Sequence, residues 1–168
     1  MKKVWSIMLL GSMLLLAGCN GDKDVKKESK EKVEQSTDSA EDMKVYRDVH
    51  SKYDKKMNKE LNAAMKLWEQ AKEEGEKTLE HPQFKKDVQK VTTSTLTDID
   101  HIRKEIRVPK SKEKEHQLYM GYLNETDQAL KKLVKLAKEE DFSLIHDIEV
   151  HFSTASEYYK RFQKEVQK

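Results

Sequence analysis

From residue 41 onward, apolar side chains recur at steps of three and four, the repeat that gathers one face of an α-helix. Tyr46, Val49, Tyr53, Met57, Leu61, Ala64, Trp68 and Ala71 form one such stripe and predict a helix over about 41–74. Ser39 stands three residues ahead of Asp42, a capping-box-like start, and Gly75 is the natural stop. The spacing predicts a second helix over about 83–107, with Pro82 suited to its first turn and with Phe84, Val88, Val91, Ile99, Ile102 and Ile106 on its apolar face. Its middle is weak. Thr92, Thr93, Ser94, Thr95 and Thr97 are stiff or compete for backbone hydrogen bonds, so a break is expected near Thr97, with Asp98 opening a new turn.

Pro109 ends that segment, and Ser111 is placed to cap a third helix over about 112–138. Its broad face carries Leu118, Tyr119, Tyr122, Leu123, Thr126, Ala129, Leu130, Leu133, Leu136 and Ala137, and Gly121 is expected to project away from it. Asp141 suits the cap of a fourth helix, about 142–166. There Ile145, Ile148, Phe152, Ala155, Tyr159, Phe162 and Val166 alternate three and four as in a heptad seam, so this helix should be the most buried. No strand-like alternation follows Cys19. Four segments that each expose one apolar stripe must bury it together, most simply as an all-α, antiparallel four-helix up-down bundle. The first helix is longer than the others, and its extra N-terminal turns are expected to overhang the bundle or to pair with a second copy.

The N-terminus follows a different rule. Lys2 and Lys3 precede an apolar run from Val4 to about Leu16, and the small residues Ala17 and Gly18 precede Cys19, the layout of a secretory leader. The run falls short of the roughly 20 residues that span a bilayer. Leu16-Ala17-Gly18-Cys19 resembles the lipobox of bacterial lipoproteins, and the likeness covers the first 19 residues only. The resemblance implies that a dedicated peptidase removes residues 1–18 and that the Cys19 thiol carries a diacylglyceryl group. Two acyl chains would anchor stably, since each buried CH₂ contributes roughly 0.8 kcal/mol and one chain holds only marginally. Cys19 is the one cysteine in the chain, so no intramolecular disulfide can form. Residues 19–40 hold too few apolar groups to repay ordering and read as a flexible charged tether, which leaves 41–168 as one helical domain.

Charge removes one class of partner. The chain holds 33 Lys and Arg against 31 Asp and Glu; Lys2 and Lys3 leave with the leader, so 31 face 31. Each basic run is interleaved with acids, which argues against nucleic acid. About 38% charged residues with few glycines and prolines is the composition of a long-helix protein.

The candidate chemistry is limited. Phosphate loops, nucleophile elbows and His-Glu-x-x-His patterns do not occur. Asp98 with His101, and Glu113 with His116, each place a carboxylate and an imidazole three residues apart, and Glu60 falls near the level of Asp98. Carboxylate-x-x-His on bundle helices holds metal pairs in ferritin-like proteins, although there the motif sits on helices two and four rather than two and three. His50 reads as a half-buried packing residue, and His146 and His151 as surface histidines. The tyrosines at helical spacing read as core residues with hydroxyls at the rim, and Tyr158 as exposed beside an inward Tyr159. The expectation is therefore a non-catalytic, lipid-anchored, extracytoplasmic binding or accessory protein of the cell envelope. It would need no cofactor beyond the lipid on Cys19, and its partners would be the membrane and a protein or cell-wall component. A metal-binding bundle using Glu60, Asp98, His101, Glu113 and His116 is the alternative, and an envelope hydrolase the third reading.

Overall fold

A computed structural model describes residues 38–168. The leader, the lipobox with Cys19, and most of the tether lie outside the described residues. Within them the fold is all-α and contains no strand. Four long helices, α1 (Ala40–Glu74), α3 (Pro82–Glu105), α4 (Glu113–Glu139) and α5 (Ile145–Val166), are joined by a single-turn helix α2 (Glu76–Leu79) and two 3₁₀ turns, Lys110–Lys112 and Phe142–Leu144.

The helix ends follow from local chemistry. Ser39 Oγ accepts the Asp42 N–H at 3.1 Å, which satisfies one of the orphan donors at the start of α1. Gly75 stops α1 at φ +74°, a backbone conformation that a Cβ would strain, and its N–H donates to Ala71 O at 3.0 Å. The chain then makes α2, which the apolar spacing does not predict. It forms because Thr78 and Leu79 are buried directly after the Gly75 turn. Pro82 opens α3 from its first turn, where a missing N–H costs nothing.

Several expectations are corrected. Helix α3 runs unbroken through Thr97. Its hydroxyls turn back on their own helix: Thr92 Oγ1 donates to Val88 O at 2.7 Å, Thr95 to Val91 O at 2.8 Å and Thr97 to Thr93 O at 2.8 Å. Thr92 and Thr95 can therefore be fully buried without an unmet polar atom. Ser111 does not cap α4; its N–H donates to the Asp38 carboxylate at 3.3 Å, and a 3₁₀ turn leads into the helix instead. Asp141 does cap, accepting from Ser143 N at 3.2 Å, but it caps the 3₁₀ turn, so α5 starts only at Ile145.

The most buried helix is α4 rather than α5, with eleven buried residues against five. Helix α4 lies against both α3 and α5 and also touches α1, whereas α5 leaves Tyr159 half-exposed and Val166 50% exposed at its end. Gly121 does not point away from the packing. The Tyr158 ring lies on it, so that an added Cβ would stand 2.5 Å from two ring carbons, and Tyr158 is half-buried rather than exposed. The first turns of α1 do not overhang either. Glu41 pairs with Arg107 at 3.0 Å, Asp38 holds the Ser111 N–H, and Tyr46 and Val49 are buried.

The core otherwise follows the expected stripes. On α1 every residue of the stripe is buried except Leu61, which is half-buried. The Trp68 indole N–H donates to Ile145 O at 3.1 Å, and its ring meets Phe152 edge-on at 6.1 Å, locking α1 to the start of α5.

Candidate functional site

Helix α1 presents Tyr46, His50 and Asp54 at four-residue steps, so all three share one face. Helix α5 brings Phe162 to the same place, and α4 brings His116 and Tyr119. The His50 imidazole is the centre of this group. Its ring stacks on Phe162 (centroids 5.3 Å, planes 18° apart) and sits 4.6 Å from Tyr46 and 4.4 Å from Tyr119. The run of rings continues from Tyr119 to Tyr122 at 5.8 Å and from Tyr122 to Tyr159 at 4.9 Å.

His50 is thus a packing residue, as expected, but the cluster is polar in an unexpected way. Both nitrogens of His50, Nδ1 of His116 and the hydroxyls of Tyr46 and Tyr119 are buried without a hydrogen-bond partner among the described residues, and the hydroxyl of Tyr122 is buried beside Thr126 Oγ1. The expected rim position holds for the hydroxyl of Tyr53, which donates to Glu105 Oε1 at 2.9 Å, and not for those three tyrosines. Buried polar groups are paired in the great majority of cases, so a concentration of unpaired ones needs a reason. Burial, with the neighbouring His116 adding to it, lowers the His50 pKa to about 4 and so keeps the ring neutral at pH 7. Burial also lowers His116 and raises Tyr46, Tyr119 and Tyr122, so each of these groups is held uncharged.

Beside this cluster is a cavity of about 390 Å³. Met43, Tyr46, His50, Phe162 and Val166 supply its walls, and Arg47, Asp54, Lys112 and Glu115 its charged edge. Lys112 and Glu115 neutralise each other at 2.6 Å. Arg47 and Asp54 make no ion pair among the described residues, and burial raises the Asp54 pKa. A larger hollow of about 590 Å³ between α4 and α5 is lined mainly by exposed charged side chains and contains none of the buried unpaired atoms. The smaller cavity is therefore the better candidate, because Tyr46 and His50 in its lining belong to the cluster whose buried polar atoms are unpaired.

The five residues read as metal ligands fall in separate neighbourhoods. Glu60 and Asp98 do approach each other, with Lys56 Nζ between them at 3.8 and 2.8 Å, and Ser94 Oγ donates to Glu60 at 2.6 Å. His116 stands beside His50 instead, and His101 and Glu113 are exposed. Among the described residues no three His, Cys, Asp or Glu side chains are grouped to hold a metal ion. His146 is 82% exposed, as expected, whereas His151 is half-buried and its Nδ1 lies 2.7 Å from Glu125 Oε2. Arg47 and Asp54 were not singled out from sequence; their spacing of three and four from His50 was the available signal.

Compared with protein-family models, curated proteins and solved structures, the chain matches none.

Proposed function

We propose that the chain is a lipid-anchored helical protein on the extracytoplasmic face of the cell membrane, acting as a binding or accessory module rather than as a catalyst. The observation that carries this reading is Leu16-Ala17-Gly18-Cys19 at the end of a short apolar run behind Lys2 and Lys3. Cys19 bears the diacylglyceryl group, residues up to about 40 form the tether, and the helical domain meets a protein or cell-wall partner. Among the described residues no helix is long and apolar enough to cross a membrane, so in this reading attachment rests on Cys19. A binding role is supported by the cavity flanked by unpaired polar groups.

The finer architecture proposed is an antiparallel up-down bundle of the four long helices. Its support is the order of the cross-links. Along α1 from Glu41 through Lys52 to Lys56 the partners descend through Arg107, Glu105 and Asp98. From Lys114 through Glu125 to Lys132 on α4 they descend through Glu165, His151 and Asp147 on α5.

The anchor is tested with Cys19→Ser in the producing cell. The substituted protein is expected to leave the detergent phase, released to the medium or retained with its leader uncut. Unchanged detergent partitioning would refute lipidation at Cys19.

A further inference from the structure

The hollow of about 590 Å³ between the start of α4 and the end of α5 is one-sided in charge, although the chain as a whole is nearly balanced. Lys114, Arg161, Lys164 and Lys168 line it against a single acid, Glu165. That carboxylate is already shared, with Lys114 at 2.9 Å and Lys168 at 2.7 Å, and Glu157 nearby is held by Lys160 at 2.8 Å. Arg161 and Lys164 make no ion pair among the described residues; the Arg161 guanidinium lies 5.8 Å from the centre of the Tyr158 ring. Leu118 and Tyr158, both half-buried, supply the apolar part of the lining. Cations set around an amphipathic ring suit an anionic layer with apolar material behind it.

The place of the hollow in the fold says which layer. Val166 and Val108, 50% and 39% exposed, stand at the same end of the domain, and they are two of the three large apolar side chains left exposed among the described residues. The chain from Cys19 also enters there, since the Asp38 carboxylate takes the Ser111 N–H at 3.3 Å, in the turn that leads to Lys114. Only residues 20–37 lie between Cys19 and Asp38. A chain of that length reaches at most about 65 Å, and roughly 25 Å on average if flexible. An acylated Cys19 would therefore hold this end at high effective concentration over the bilayer, where weak contacts suffice.

We infer that this end of the domain docks on the anionic phospholipid headgroups of the membrane that carries it, with Arg161 and Lys164 meeting the phosphates and Val108 and Val166 entering among them. The inference rests on the lipid-anchor reading and adds an orientation to it: the opposite end, where Trp68 meets Ile145, faces outward. A soluble acidic polymer would satisfy the same cations but leave both valines in water.

The test uses the protein purified from the producing cell and reconstituted with vesicles, its lysines acetylated and read one by one by mass spectrometry. In phosphatidylcholine vesicles that also contain phosphatidylglycerol, Lys114, Lys164 and Lys168 are expected to react more slowly than in phosphatidylcholine alone, and high salt should remove the difference. Lys138, about 36 Å away along α4, should react equally in both. Arg161→Gln combined with Lys164→Gln, both at exposed positions, should leave the circular-dichroism spectrum unchanged and remove most of the protection of Lys114 and Lys168, since each cation is worth roughly fivefold in affinity for an anionic surface. Equal reactivity in the two vesicles, equal protection of Lys138, unaltered protection in the double variant, or polyglutamate shielding the same lysines as well as phosphatidylglycerol does would overturn the assignment. Flotation with the vesicles reads the anchor separately: protein that floats without protection ends the docking inference alone, and protein that does not float ends the anchor reading and this inference with it.

Discussion

Replacing Gly121 with Ala sets two opposed effects against each other at one site. In a helix interior Ala is better than Gly by about 0.8–1.0 kcal/mol, so an ordinary helical glycine gains stability from the change. Here the new Cβ would stand 2.5 Å from Cδ1 and Cε1 of Tyr158 and 2.9 Å from Cγ. Because Cγ is at the root of the ring, a small tilt does not relieve the overlap and the whole ring must leave its seat. Forced overpacking costs about 1–3 kcal/mol, so the net effect is a loss of up to about 2 kcal/mol. With Tyr158→Ala already in place the overlap is gone, and adding Gly121→Ala should then stabilise by about 1 kcal/mol. Urea unfolding of the wild type, both single variants and the double variant closes the cycle, and thermal midpoints should follow at about 3–5 °C per kcal/mol for a domain of this size. Equal stabilisation by Gly121→Ala in both backgrounds would show that Tyr158 does not rest on Gly121.

Acid should destabilise the domain partly through His50. Its folded pKa, about 4, lies below its ordinary 6.5, so the unfolded chain takes up the proton first; this stability is intact above pH 6.5 and is lost as pH falls towards 4. The loss is at most about 3 kcal/mol, less after solvent screening, and His50→Phe should flatten the pH 4–6.5 part of the urea-stability profile relative to wild type. Lys56→Met leaves the buried Asp98 carboxylate without its 2.8 Å ammonium partner and should cost about 1–3 kcal/mol, below the full penalty of a buried pair because Lys56 is half-exposed. Asp98→Asn should recover part of that cost in the Lys56→Met background, and an unchanged urea midpoint in the single variant would mean that the pair does not contribute.

Spacing alone placed the four long helices, because an apolar stripe is a local property of the chain. It placed their ends less well where a neighbour in space decides. Ser111 is a good capping residue by type, yet Asp38 from the start of the domain takes its N–H. The ranking of burial failed for a similar reason: the α5 seam is the more regular pattern, but α4 packs broadly against both α3 and α5, whereas α5 packs broadly against α4 alone. The acids Asp98, Glu115 and Asp127 are buried beside Lys56, Lys112 and Lys131, and the cationic partners on a different helix, Lys56 for Asp98 and Arg103 for Asp127, are invisible to periodicity. At the candidate site His50 and the tyrosines were legible as residues of a packed face. That their polar atoms are unpaired depends on which rings α4 and α5 bring opposite, which the linear pattern does not record.

Met43, early in α1, and Val166, in the last turn of α5, line one cavity, so the described chain enters and leaves side by side. Trp68 and Lys72 meet Ile145 and Glu149 at the opposite end of these helices. A fluorophore or affinity handle appended after Val166 would therefore crowd the mouth of that cavity, whereas one inserted near Glu140 would sit well away from it.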